Sequence, residues 1–174
     1  MKILKFIVFT LFILAINDAN LIADSPHYLD LKYVLNESDA GKKAQNSLKS
    51  KLENGIKKIK NKEKSLQEEE KKIIQQKKVI SAEEYKKKVT DLRKKVSSLQ
   101  KERKSLLDSI GKQRMKAKSE LLKTLNPIIK EHMKEKRIRM VVDKKGILLA
   151  DETLDITKEI LKKLNSKLKS IKLN

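Results

Sequence analysis

The sequence predicts an α+β chain that is mainly α, with a long antiparallel helical hairpin carried on a small β body. Three observations lead there. Residues 42–123 repeat apolar side chains at heptad spacing in two runs, with a helix-start signal between them. The same stretch holds most of the positive charge of the chain. Strand-like patterns occur only outside it, around residue 30 and around residue 140.

At the N-terminus, Lys2 and Lys5 precede the apolar run Phe6–Ile16, and the small residues Ala15, Ala19 and Ala23 follow. A basic start and about eleven apolar residues describe a secretory signal peptide, whereas a spanning helix needs roughly 20. Residues 1–23 are therefore expected to be a signal peptide, cleaved near residue 19 or 23, with an uncleaved anchor as the competing reading. The mature chain would then work outside the inner membrane. Phe6, Phe9 and Phe12 all fall in the signal, so the mature aromatics are Tyr28, Tyr33 and Tyr85. A large globular core normally leans on aromatic area. The absence of cysteine excludes disulfides, thiolate metal sites and a cysteine nucleophile.

The net charge of +20 is unevenly placed. Between Lys42 and Lys123 there are 27 Lys and Arg against 11 Asp and Glu, a balance of +16 out of the +19 expected for the mature chain. A field of that size attracts acidic proteins, anionic lipid heads or nucleic acid, and weakens with salt.

Tyr28–Leu31 alternates apolar and polar residues and reads as a short half-buried strand. Asn36, Ser38 and Asp39 then offer the side-chain oxygens that begin helices. In the first arm helix Leu52, Ile59, Leu66, Ile73 and Ile80 recur every seven residues, with mostly polar half-steps after Ile56. In the second, Tyr85, Val89, Leu92, Val96, Leu99, Leu106 and Ile110 follow steps of three and four, interrupted by Arg103. Both are thin seams, narrower than the stripe of a core helix. Ser81 and Glu84 form a capping box, which places the tip near residues 79–81. Facing residues should then add to about 162, bringing Leu52 to Ile110, Leu66 to Val96 and Ile73 to Val89. The arm would be roughly 55–60 Å long at 1.5 Å per residue. A continuous parallel coiled coil is the alternative, since heptads alone do not fix direction. Gly55 and Gly111 fall at similar heights on this register and are candidates for a bend in the arm; tolerated surface glycines are the other reading.

Residues 24–41 and 124–174 are expected to build the body. Leu121, Leu122, Leu125, Ile128, Ile129 and Met133 make a denser apolar face, and Asn126-Pro127 should kink or restart the helix there. Ile138–Val142 and Ile147–Ala150 read as two strands around the turn Asp143-Lys144-Lys145-Gly146, with glycine where positive φ is needed. Asp155 can cap a last helix whose apolar side is Ile156, Ile160, Leu161, Leu164 and Leu168. The first strand would pair with Ile138–Val142 at the far end of the chain, leaving open edges that invite a neighbouring chain.

No catalytic constellation emerges. His27 and His132 are too sparse for a metal or acid–base site, Glu68-Glu69-Glu70 reads as a solvated charge run, and no phosphate-binding glycine loop is present. No cofactor is expected, and an enzyme is not.

The exported N-terminus, "YLDLKYVLNESDAGKKAQ", the Lys/Glu-rich hairpin with "SAEEYKKKV" after its tip, "NPIIKE" and "MVVDKKGILLADETLDITKEILKKLN" together resemble the Skp/OmpH family of periplasmic chaperones, in the family's order. The resemblance implies a jellyfish-like homotrimer in the periplasm, with an intersubunit β body and three arms around a cavity for unfolded outer-membrane β-barrel proteins. Tyr28, Leu29, Leu31, Val141, Val142, Ile147, Leu148 and Leu149 are the candidate trimer-body residues. Leu52, Ile59, Leu66, Ile73, Val89, Val96 and Ile110 are the candidate arm seam. The family pattern is broken at Lys136-Arg137-Ile138, where a glycine is expected before the second strand. Anionic lipid or lipopolysaccharide is a further candidate partner, with no site assigned. Two other functions stay open: a basic coiled-coil stalk of the envelope, and nucleic-acid binding, which the export signal and the lack of stacking aromatics disfavour.

Overall fold

The computed structural model describes residues 25–173, so the expected signal peptide lies outside the described residues. Strand β1 (His27–Leu29) stops at Asp30. The Asp30 carboxylate accepts a hydrogen bond from the Tyr33 N–H at 2.8 Å and caps α1 (Leu31–Glu37). Leu31 is therefore the first residue of a helix, which corrects the strand expected over Tyr28–Leu31. Four residues cannot separate alternation from a cap followed by a helix, and here the cap decides.

Ser38, extended at φ −61° and ψ 149°, separates α1 from α2 (Asp39–Gln76). Its hydroxyl accepts from the Gly41 N–H at 3.1 Å, satisfying one donor of the first turn of α2. Helix α2 leads to the turn Lys77–Ser81, where the Val79 and Ile80 N–H groups both donate to the Gln76 carbonyl. The Ser81 hydroxyl accepts from the Glu84 N–H at 3.1 Å and starts α3 (Ala82–Lys136). At 38 and 55 residues, the two helices are about 57 and 82 Å long. They run antiparallel, so the excess length of α3 reaches past α2 into the body.

Helix α3 passes through Pro127 without interruption, so the proline neither ends nor restarts it. Pro127 and Lys123, whose carbonyl loses its donor to the proline, are both exposed. The helix ends at Arg137, the one non-glycine residue of positive φ among the described residues, at φ 57° and ψ 30°. The Ile138 N–H turns back to the Met133 carbonyl at 2.8 Å. This is a C-terminal closure of the kind usually built on glycine.

Strand β2 (Val141–Asp143) lies parallel to β1, with His27, Tyr28 and Leu29 opposite Val141, Val142 and Asp143. The two ends of the chain therefore meet, as a long crossover through the arm requires of a parallel pair. The second strand expected over Ile147–Ala150 is absent. The Asp143 carboxylate accepts from the Lys145 N–H at 3.2 Å and winds Lys144–Gly146 into a 3₁₀ turn, in which Gly146 has no positive φ. The chain then leaves the sheet instead of folding back on it. On its other side β1 makes a single bridge at Asp155, where the Ile156 N–H donates to the Tyr28 carbonyl at 3.0 Å.

The Asp155 carboxylate accepts from the Thr157 N–H at 2.8 Å at the start of α4 (Thr157–Lys167). Helix α4 packs on α3 and α1 and closes the body core of Leu29, Val34, Ala40, Leu121, Leu125, Ile128, Ile138, Ile156, Ile160 and Leu164. It also reaches α2. The Asn165 side-chain oxygen accepts from the Asp39 N–H at 2.8 Å, and the Lys169 ammonium lies 3.0 Å from the Asp39 carboxylate. The root of the arm is thus capped from the far end of the chain.

Candidate functional site: the arm surface and the body edge

Polar pairs crossing the arm define its register. Lys51 donates to Gln113 at 3.1 Å, Lys62 to Glu102 at 2.6 Å, and Lys95 to Glu69 at 2.6 Å. The Arg103 guanidinium donates to Glu63 at 2.7 Å. The partners' numbers add to 164–166 rather than 162. That displacement moves one seam residue out of the seam. Val96 is 42% exposed, while Leu99, at 6%, lies beside Leu66 in its place. Ile59, Ile73 and Ile110 are buried, and Leu52, Leu66 and Val89 are half-buried.

The two glycines have different surroundings. At Gly55, the Leu106 methyl carbons come within 2.5 and 2.7 Å of where a Cβ would stand, so the side chain of α3 fills that space. Nothing lies within 4 Å of the corresponding point on Gly111. Both helices run continuously through these positions.

A two-helix arm with one thin seam cannot cover its other apolar side chains. Ile56, Ile74 and Val79 on the α2 side and Val96, Leu107 and Met115 on the α3 side are exposed. They stand on a surface rich in lysine. Leu99 belongs to the second heptad run but lies outside the expected seam pairing, and Leu107 and Met115 belong to neither run. A register counted from cross-arm charge pairs, with Glu63 and Glu69 set against Arg103 and Lys95, puts Leu99 opposite Leu66. The cross-arm ion pairs are all at least a third exposed, so each contributes at most about 1 kcal/mol and weakens with salt.

At the body, the predicted trimer residues fall into two groups. Tyr28 and Leu29 are buried within the chain's own core, and Val141 and Val142 are half-buried in and beside it. Leu31 is half-buried at the head of α1. Leu148 and Leu149, by contrast, are 103% and 91% exposed. With Ile147, Tyr28 and Tyr33 they line an open hollow of about 650 Å³ next to the sheet. The Lys144 ammonium sits 5.6 Å from the Tyr28 ring centre and 3.2 Å from the Asp155 carboxylate, fixing one wall of that hollow.

Among the described residues no group of three or more His, Cys, Asp or Glu side chains could hold a metal ion. No helix among them is long and apolar enough to cross a membrane.

These features define a basic helical-hairpin arm rooted in a small α+β body. Residues 27–164 match the family described as outer membrane protein (OmpH-like), and the chain belongs to that family. The crystal structure of an OmpH-like protein from Caulobacter crescentus CB15 superposes with a TM-score of 0.78 at 19% identity, over 85% of this chain and 89% of the other. At that identity the likeness is one of fold. No curated protein matches the sequence.

Proposed function

We propose that this chain is an ATP-independent holdase chaperone of the periplasm. On this reading it binds unfolded outer-membrane β-barrel proteins between basic arms and keeps them from aggregating. The observation that carries the reading is the arm surface, where exposed apolar side chains are set among lysines on a hairpin too thin to bury them. Unfolded barrel proteins expose alternating apolar residues and strand edges. Many weak contacts hold such a chain without trapping it, and lysine stems add apolar area under their charges. Membership of the OmpH-like family supports the reading, as does the fold shared with the Caulobacter crescentus protein, itself proposed to be an outer membrane chaperone.

The working form is a homotrimer in which the Ile147–Leu149 segment, with Leu148 and Leu149 exposed, extends the sheet of a neighbour. Three arms then enclose one cavity, and their summed positive field draws in acidic clients. The same field attracts anionic lipid or lipopolysaccharide head groups.

One assay with two readouts tests this: the native mass of the purified protein, and the light scattering of an unfolded outer-membrane protein diluted from urea with and without it. A trimer that suppresses scattering supports the proposal. A monomer that leaves the client aggregating sinks it, and a dimer without holdase activity favours an envelope stalk.

A further inference from the structure

The chain has two histidines, and the fold has closed in on one of them. His132 continues the face of α3 that carries Leu121, Leu125 and Ile128, at helical steps of four and three, and is 1% exposed beneath α4. Its Nε2 lies 3.4 Å from a Glu159 carboxylate oxygen. Its Nδ1 is buried with no hydrogen-bond partner among the described residues. A neutral ring fits this place, with Nε2–H toward Glu159 and Nδ1 bare. A charged ring carries a second N–H, at Nδ1, and no acceptor stands there to receive it.

Four charged side chains surround the ring. Glu135 and Lys136 come from its own helix, Glu159 and Lys163 from α4. The Glu159 side chain is 59% exposed, so solvent screens its attraction. Burial, followed by the Lys163 ammonium, depresses the imidazole pKa below that of ordinary histidine, and Glu159 and Glu135 do not reverse this.

We propose that His132 is an acid-sensitive fastener between α3 and α4. Protonating the ring loosens α4, and with it the contacts of Asn165 and Lys169 that cap the first turn of α2 at the root of the arm. The folded ring resists the proton, so the undocked state takes it first. The stabilisation is fully present above about pH 6.5 and is lost as pH falls from there toward the folded-state pKa. The Glu131–Lys167 pair also joins the two helices. The hydrogen bond from Lys167 holds the Glu131 carboxyl below its ordinary range, so that pair survives through the histidine window.

Hydrogen–deuterium exchange of α4 amides at pH 7.5 and 5.5, corrected for intrinsic rates, tests the fastener on the purified protein. Wild type should lose α4 protection by up to about tenfold for each pH unit below 6.5, with mid-arm amides unchanged. His132→Leu and His132→Gln should each show α4 protection that does not fall with pH. Unchanged wild-type protection between the two pH values would overturn the proposal. So would a pH-dependent loss that persists in either variant, or a His132 ring resonance that titrates at or above pH 6.5.

Discussion

The carbonyl oxygen of Leu35 occupies the space a Cβ would need on Gly41. The elbow between α1 and α2 is closed so tightly by Ser38 that the last turn of one helix rests on the first turn of the next. The obstructing atom is backbone and cannot rotate away. Gly41→Ala should therefore destabilise the body by about 1–3 kcal/mol despite alanine's higher helix propensity. A fall in the thermal midpoint checks this, and an unchanged midpoint would show that the elbow can open at no cost.

Gly55 and Gly111 separate under the same substitution. Gly111→Ala meets open space and should stabilise the arm by about 1 kcal/mol. Gly55→Ala carries the same propensity gain but must displace the Leu106 methyls, so its net effect should be smaller or of opposite sign. Urea midpoints of the two variants rank them. Spin-label distances between tip and body in the double variant test the proposed bend, which should lessen.

Arg137 holds a left-handed backbone conformation that costs a non-glycine residue roughly 1–2 kcal/mol. Arg137→Gly should raise stability by about 1 kcal/mol without altering assembly. The glycine missing from the family pattern is thus missing at the position whose backbone most favours one. A destabilised variant would mean that the guanidinium holds contacts worth more than the strain.

Leu99 and Val96 reverse their sequence-based ranking. Leu99→Ala should cost about 2 kcal/mol or more, as a buried leucine does, while Val96→Ala should cost under about 0.5 kcal/mol. Equal losses in a urea titration would restore the register of 162.

Leu148→Asp and Val141→Asp also diverge. Leu148 is fully exposed in the single chain, so a charge there should abolish the proposed trimer with helical content and thermal midpoint little changed. Val141 packs against the body core, so its replacement should lower both assembly and the midpoint. Analytical ultracentrifugation alongside circular dichroism distinguishes these outcomes. A Leu148→Asp protein that still assembles would place the interface elsewhere.

The helices were legible because their signals are local: Ser81 with Glu84, Ser38 before α2, and the sevenfold recurrence that places Ile59 and Ile73 in the seam. The meeting of the chain's two ends followed from one strand pattern needing a partner. The two strand errors share a cause, which is competition from a side chain two or three residues away. Asp30 converts the end of a strand into a helix start, and Asp143 winds a hairpin turn into a 3₁₀ turn. Such bonds form only once the backbone has chosen, so alternation over four residues cannot foresee them. The restart expected at Asn126-Pro127 does not occur for another reason: packing along a 55-residue helix outweighs the one hydrogen bond that proline removes. The seam was placed one step off because its register depends on how many residues the tip consumes.

The Asp30 N–H donates to the Thr157 hydroxyl across 127 positions, and Asp39 is capped by Asn165 across 126. Such spacing means that the body closes only after the last residues are made. Between their roots and the tip the two arm helices pack on each other, and they can close before the C-terminal residues arrive. β1 reaches its destination first and waits longest, because β2 and α4 arrive last. Until then a finished arm stands on an unfinished body. Loss of the last dozen residues would show as a root that never sets, under an arm of normal helicity.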